Sequence, residues 1–400
     1  MTHQSLPEVP PELVTVERVR SLGEISVHGW EDVADPQDLF QSHAWLTALE
    51  RSGDGPVTYL IARRPGQARI LGALPLFDAP PSRGDYLSWP ELHFRDLLPA
   101  ANPRGGRLGL LAGSCAGFGT RLVVDRGLPG PARAAVLRAL RDAAGEVAAE
   151  RGLPYTFLLF LDARAWRDLA PVAGGGDHRR LAGVAQTELE LPGAGFEDYL
   201  ATLPRNTRTG VRRETGVFAR ACRTEIVPLR EAIATVAPMI VNVRAGHGVP
   251  YSVDTVARRL SVYASALGDG ASMAVLCRAQ GRVAGAGVMC RWHDRLYVTD
   301  FGRPGEEGPD AFVYFNAAIY EPVKYAYAAG LATVVTGAGA EMGKARRGSA
   351  VLPLVHLAWA AGERTDGRIG VSPAENHEEH WRRLRSAHPG YFHPVWDELL

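Results

Sequence analysis

The sequence predicts an α+β protein of two lobes, each a mixed, mostly antiparallel sheet flanked by helices. Three observations carry this. Each half of the chain runs helix, antiparallel strands, helix, strand. The βαβ rhythm of a doubly wound fold is missing from the start. No short repeat of solenoid type recurs.

In the first half, Asp38 to Ser52 has Leu39, Trp45 and Leu49 at near-helical spacing, and Gly53 stops it. VTYLIARR and ARILGALPLF are strands joined through Pro65-Gly66, a hairpin signal. A stretch rich in Pro and Gly runs from Asp78 to Gly117, and Arg121 to Asp125 is a short strand. Pro131 to Arg151 is an amphipathic helix with Leu137, Leu140, Ala144 and Val147 on one face, and Thr156 to Leu161 is a buried strand. The second half opens on the strand TELEL. Helices follow at Phe196–Leu203, from Pro204 to Ala221, at Arg230–Val243 and at Val253–Leu267. SMAVLCRA, RVAGAGVMCRW and RLYVTDFG are three strands turned at Gln280-Gly281 and His293-Asp294. Asp310 caps a long helix that Pro322 kinks and Gly330 ends. ATVVTGAG and AVLPLVHLAWA are the last strands, before a polar helix from Pro373 to Ser386 and an aromatic tail. The chain divides into a segment 1–34, a lobe 35–185, a lobe 186–370 and a helix with tail 371–400.

The 400 residues are enough for two or three domains at roughly 150 residues each. Lys+Arg and Asp+Glu both number 44, which argues against a nucleic-acid coat, and DNA is not an expected partner. No run of 18 apolar residues predicts a membrane span, and the first twenty residues lack an apolar signal core, so a cytoplasmic location is expected. Cys115, Cys222, Cys277 and Cys290 are scattered without a CxxC pair, which excludes zinc ribbons and thioredoxin-like motifs. Only two of the 44 basic residues are lysine, Lys324 and Lys344. In a chain so biased to arginine, a surviving lysine at a strand end points to a need for lysine.

Several strings match motifs but fail their context. Arg282 to Gly287 spells R-x-x-G-x-G, which holds pyrophosphate in CoA-dependent acetyltransferases where a strand leads through a loop into a helix. Here the string lies inside a strand, so its glycines are expected where something packs close to the sheet. Arg63 to Ala68 falls in a hairpin turn. Gly113-Ser114-Cys115-Ala116-Gly117 resembles a nucleophile elbow, but a strand follows it instead of a helix. His377 and His380 lack HExxH spacing, and no metal is expected.

Three strings fit. Arg205, Arg208 and Arg212 make a basic stripe on one helix, with Arg213 beside it, able to hold phosphates or to stand as a solvated face balanced by Glu214. Thr336 to Gly348 is a glycine-rich loop at a strand end that brings Glu341, Lys344 and Arg347 together, a pattern suited to an oxyanion or phosphate. Tyr297 to Arg303 leads through a glycine loop to a helix bearing Tyr314, where Asp300 or Tyr314 could handle a proton.

QSHAWLTALE, LPRNTRTGVRRE, YFNAAIYEPVKYAYAAGL and GAGAEMGKARRGSAVLP together resemble the FemAB-like branch of the GNAT acyltransferase superfamily. The resemblance spans most of the chain, with its specific motifs in residues 199–355. Lys344, Arg347 and Gly348 match the family's late K-x-x-R-G, and Arg212-Arg213-Glu214 its central basic helix. The chain departs from the pattern at Gly343, where the family often has His, and lacks a coiled-coil arm. The resemblance implies two tandem GNAT-like domains and an amide-forming N-acyltransferase, in small-molecule or cell-wall biosynthesis. The donor would be an aminoacyl-tRNA or, alternatively, acyl-CoA, and the acceptor a small-molecule or peptide amine. A non-enzymatic pair of such domains that binds a peptide or cell-wall fragment is the rival. Lys344, Asp300 and Tyr314 are the expected catalytic residues; Arg205, Arg208, Arg212, Arg213, Arg303, Glu341 and Arg347 are the expected substrate contacts.

Overall fold

The computed structural model describes residues 14–78, 90–94, 109–173, 178–247, 251–305, 311–361 and 374–399. The chain forms two compact units, Met1–Gly183 with Leu354–Glu378, and Val184–Pro353 with Glu379–Leu400. Both are α+β with a mixed sheet and flanking helices, as the element order predicts.

In the first unit, β1 (Thr15–Val19), β2 (Thr58–Arg63), β3 (Ile70–Asp78) and β4 (Gly109–Ala112) pair in antiparallel succession, with β5 (Val123–Val124) also beside β3. β4 then runs parallel to β6 (Tyr155–Leu161), whose other edge takes residues 355–360 antiparallel. The helices α1 (Val27–Glu31) and α2 (His43–Ser52) separate β1 from β2, and α3 (Gly130–Glu150) and α4 (Ala163–Leu169) flank β6 in sequence. The expected helix from Asp38 starts later: Leu39–Gln41 is a 3-10 turn, and Ser42 caps α2 by accepting the Trp45 N–H. Gly113–Gly117 forms a turn with no helix after it, Ser114 Oγ donating to the Ala116 carbonyl, and burial pushes the Cys115 thiol up to about 12. A thiol so held makes a poor nucleophile at neutral pH.

The second unit repeats the plan. Residues 187–190 of β7 (His178–Glu190) pair with a later strand, and α5 (Phe196–Thr202) and α6 (Arg205–Ala221) follow. β8 (Arg223–Pro228) is separated by α7 (Leu229–Gly246) and α8 (Val253–Leu267) from the meander β9 (Ser272–Ala279), β10 (Arg282–Trp292) and β11 (Arg295–Gly302). β11 runs parallel to β12 (Thr333–Gly337), which pairs antiparallel with β7. The helix between β11 and β12 is not one regular rod. It comprises α9 (Val313–Phe315), a π-turn Asn316–Tyr320 and α10 (Glu321–Ala328). Pro322 sits in the first turn of α10, where its missing N–H costs no helical bond. The expected Asp310 cap lies outside the described residues. α11 (Glu341–Ala345) and the start of β13 (Ala350–Ala360) complete the unit, and α12 (Ala374–Ala387) carries the chain into its tail.

Gly285 and Gly287 lie inside β10, beneath that composite helix. A Cβ on Gly287 would stand 2.4 Å from the Ala317 carbonyl oxygen, and one on Gly285 2.4 Å from Val313 Cγ1. The R-x-x-G-x-G string is therefore a packing surface. Tyr199, Ala317, Ile319, Tyr320 and Val323 lie fully buried in the core between the helices and this sheet. The tail is also packed: Trp381, Phe392 and Trp396 cluster on Ala345 and Val351, and the Trp396 indole donates to the Val351 carbonyl at 2.9 Å.

Gly287→Ala should destabilise the protein by about 1–3 kcal/mol, because the helix backbone must move to admit the methyl. Gly210→Ala, on α6 where a Cβ meets nothing within 4 Å, should stabilise it by about 0.5–1 kcal/mol. Urea unfolding of the two variants checks both signs.

Candidate active site

The parallel pair of the second unit opens a corner. β11 and β12 pair only at Arg295–Thr333, Leu296–Val334 and Tyr297–Val335, although β11 continues to Gly302 and β12 to Gly337. Beyond residue 335, β12 is held from its other side. The Thr336 and Thr187 hydroxyls lie 2.7 Å apart, and Thr187 Oγ1 donates to the Gly337 carbonyl at 2.8 Å. Gly337, Gly339 and Ala340 then take left-handed backbone conformations that turn the chain into α11.

Lys344 comes back from α11 to the inside of that turn. It is 4% exposed, and its Nζ donates to the carbonyls of Thr336 at 2.5 Å, Ala338 at 3.2 Å and Gly337 at 3.4 Å. Burial pulls its pKa down to about 8, against an upward push from the charge of Glu341. Glu341, the first residue of α11, accepts the Gly339 N–H at 2.5 Å. The Ala338 N–H makes no hydrogen bond among the described residues.

One turn later, Arg347 faces elsewhere. Its Nη2 and Nε reach the Glu214 carboxylate at 2.7 and 3.2 Å, Nε also donates to the Tyr320 hydroxyl at 2.7 Å, and Nη1 to the Gly343 carbonyl at 2.9 Å. Its guanidinium lies 3.2 Å over the Phe315 ring. The Tyr320 hydroxyl donates in turn to Glu214, and burial with that hydrogen bond pushes its pKa up. Tyr199 donates to the Arg347 carbonyl at 2.8 Å. Both side chains of the ion pair are mostly buried, at 13% and 14% exposure. The middle and late sequence motifs thus meet through Glu214, which the sequence had suggested only as a balancing surface charge. On α6 it faces inward with Val211 and Phe218, opposite the arginine stripe.

The other expected residues are placed as follows. Tyr314 packs edge-on against Phe301 and Phe315, and its hydroxyl makes no hydrogen bond among the described residues. Burial, then the charge of Glu341, push its pKa up, while Arg347 pulls it down. Asp300 is turned away to α7 and α8, where its Oδ1 accepts from Arg259 at 2.6 Å and Arg244 at 3.2 Å. Of the stripe, Arg208 donates to the Ala201 and Leu203 carbonyls at the end of α5, and Arg212 pairs on the surface with Glu197 at 2.6 Å. Arg213 lies over the Phe312 ring, and Arg205 and Arg303 are exposed. Lys344, Glu341, Arg347 and Tyr314 therefore share one corner, and Asp300 and the stripe do not reach its interior.

A family model described as peptidoglycan biosynthesis/recognition, FemAB-like, matches residues 21–378. The chain belongs to the FemAB-like family. Among solved structures, FemX shares the fold at 11% identity with a TM-score of 0.54, covering 86% of this chain and 97% of its own. A tandem GNAT protein from the clavulanic acid biosynthesis pathway does so at 15% identity with a TM-score of 0.51, covering 87% and 99%. No curated protein matches the sequence. Among the described residues, no helix of this FemAB-like protein is long and apolar enough to cross a membrane.

The first unit holds a feature that sequence reading missed. The strand–glycine loop–helix context absent at residues 282–287 occurs at β5–α3, where Arg126-Gly-Leu-Pro-Gly-Pro-Ala132 leads into the helix. No side chain caps α3, and Arg121, Arg126, Arg133 and Arg164 line a cavity of about 220 Å³ with Asp35 and Asp168. The signal was Gly127 and Gly130 after a short strand, hidden because the string is one residue longer than R-x-x-G-x-G.

Removing one partner of the inner ion pair should be costly. Glu214→Ala leaves Arg347 buried without its carboxylate and should destabilise by about 3 kcal/mol. Arg212→Ala removes only a surface pair and should change stability by less than about 0.5 kcal/mol. Chemical denaturation of both variants separates the inner face of α6 from the outer. Lys344 should leave a signature in pH. Its folded pKa, about 8, lies below the ordinary 10.5, so the unfolded chain binds more protons between these values, and the stability of the wild type rises with pH there. Relative to Lys344→Met, the wild type should gain about 2 kcal/mol as the pH rises from 8 to 10, measured by urea unfolding at each pH.

Proposed function

We propose that this FemAB-like protein is an N-acyltransferase that joins an acyl or aminoacyl group to an amine at the corner of the second unit. The observation that carries this reading is the hold of Lys344 on three successive carbonyls. In a trans peptide the C=O and the following N–H point in opposite directions. Turning the carbonyls of residues 336–338 inward sends the N–H groups of Gly337, Ala338 and Gly339 outward. Such donors suit the oxygen of an ester or thioester as it gains negative charge on attack by a neutral amine. On this reading Lys344 is a positioning residue that orients the loop from behind, and Glu341 holds the Gly339 N–H until substrate displaces it. On the same reading Tyr314, whose raised pKa keeps it protonated, gives a proton to the leaving oxygen or sulfur. The bond formed is the amide and the bond broken is the donor's ester or thioester, and the proton that the attacking nitrogen gives up replaces the one Tyr314 passes to the leaving group.

For the donor, an aminoacyl-tRNA is our first reading, because Arg205, Arg213 and Arg303 are exposed cations and Arg212 is tied only by a surface pair. Acyl-CoA is the second, since its thioester oxygen suits the same outward N–H donors. The acceptor is a small-molecule or peptide amine. A test incubates the protein with a panel of amines and either charged tRNA or acyl-CoA, and reads products by mass spectrometry. An amide product with one donor is expected; no product with any pairing would favour a binding protein. In the productive assay, Lys344→Met should lose 100- to 1000-fold in kcat, roughly the value of lost oxyanion donors. Activity equal to wild type in the folded variant would remove the loop from the mechanism.

A further inference from the structure

We propose that Glu341 is the residue that selects the donor. It gives up the Gly339 N–H to the acyl oxygen only when the acyl group brings a protonated amine beside its carbonyl. The inference rests on the reading of the corner as an acyl-transfer site. It goes beyond that reading in naming the donor class and the side chain that reads it.

Glu341 is a carboxylate without a cation. Its Oε1 accepts the Gly339 N–H at 2.5 Å, and Oε2 accepts no hydrogen bond among the described residues. Lys344 stands three positions on, a spacing at which helices pair opposite charges. Its ammonium instead donates to the carbonyls of Thr336, Gly337 and Ala338. Arg347 is committed to Glu214. The carboxylate nevertheless belongs to the corner: its charge opposes the effect of burial on Lys344 and adds to the effect of burial on the Tyr314 hydroxyl. Glu341 is half-buried, and Gly339 and Ala340 beside it are exposed, so a ligand can reach it from the outer side of the turn.

That position works against a neutral acyl donor. Of the three N–H groups read as donors to the oxyanion, the one on Gly339 is already taken by a carboxylate oxygen. A neutral acyl oxygen would have to compete for it. The charge it then develops would stand beside another negative charge. An ammonium on the carbon next to the carbonyl removes both obstacles. It draws the Glu341 side chain off Gly339, which frees the third N–H, and it stands between the carboxylate and the oxyanion. The attacking nitrogen cannot play this part, because it must be neutral and a carboxylate would hold it protonated. An aminoacyl group has the required chemistry. Since the amine completes the donor set for the reacting complex, discrimination against an amine-free donor falls on kcat more than on KM.

The first test follows the Ala338 and Gly339 amide signals by NMR in the full nitrogen-15-labelled chain. The probes are alanine methyl ester and methyl isobutyrate, which has a methyl group in place of the ammonium. Alanine methyl ester is expected to shift the Gly339 N–H saturably, with methyl isobutyrate at least tenfold weaker. Glu341→Gln keeps a side-chain oxygen for that N–H and removes the charge, so the two esters should bind it within about twofold of each other. Equal response to the two esters, no response to either, or discrimination that survives Glu341→Gln would overturn the assignment. The second test repeats the product assay with alanyl and isobutyryl groups on tRNA and on CoA. A kcat ratio of about 100 in favour of the alanyl group is expected, the value of one lost oxyanion donor, and it should fall at least tenfold in Glu341→Gln. Equal turnover of both groups would remove Glu341 from donor selection and leave the acyl-transfer reading standing. No product from any donor, with the ester discrimination intact, would instead sink that reading and reduce the corner to an ammonium-binding site.

Discussion

The corner of the second unit depends on one ion pair, Arg347 with Glu214. Burying two charges costs desolvation that their attraction only partly offsets, so the pair adds little net stability. What it supplies is definition. Arg347 also holds Tyr320, Gly343 and the Phe315 face, so one planar group fixes α6, the composite helix and α11 against one another. Leaving either partner unmatched is far more costly than never having had the pair, which keeps the three elements in a single arrangement.

Lys344, three residues earlier, is set by a different geometry. Three carbonyls of one tight turn converge on its nitrogen. A compact ammonium with three rotatable donors fits that convergence, whereas a flat guanidinium fork does not. This explains why the position holds lysine in a chain whose basic residues are otherwise almost all arginine. Lys324, the other lysine, pairs at the surface with Glu321 and has no such constraint. The packing of Trp381 and Trp396 on Ala345 and Val351 secures the segment on both sides of Lys344, so the aromatic tail supports the site without entering it.

Much of this was legible in the sequence, and the omissions have physical causes. The central strands and amphipathic helices carry apolar periodicity and were readable. Of the missed strands, β4 lies inside the stretch read as merely rich in Pro and Gly, and β1 and β8 occupy the same place in their units, at the outer edge of each sheet. There, TVERV and RTEIVP are half-exposed and charged, because an edge must resist further pairing, and the alternation that marks a strand is diluted. The glycine loop around Lys344 was visible from its composition. That Lys344 points inward was not, because loop composition does not tell which side of a turn a side chain takes. Glu214 was hidden by its neighbours: three arginines on the outer face of α6 made it look like their counter-charge, and only the 3.6-residue period places it with Val211 and Phe218. Tyr320 lies in a string that carries the family resemblance, but nothing in its spacing singled it out.

Tyr320 reaches the site because the helix before it is irregular. In an α-helix, residues five apart stand about 140° from each other, so Phe315 and Tyr320 could not both meet one guanidinium. The π-turn Asn316–Tyr320 winds more loosely and brings positions i and i+5 toward the same face. Arg347 then lies on the ring of Phe315 and donates to the hydroxyl of Tyr320. The same turn sits over Gly287, where the Ala317 carbonyl comes close enough to exclude any side chain from the strand below. Pro322 follows directly and lacks the N–H that an unbroken α-helix would need. Glycine in the strand, the wide turn above it and proline after it are one device. It shapes a helix so that residues on either side of the turn close around Arg347, and the ion pair to Glu214 holds it in place.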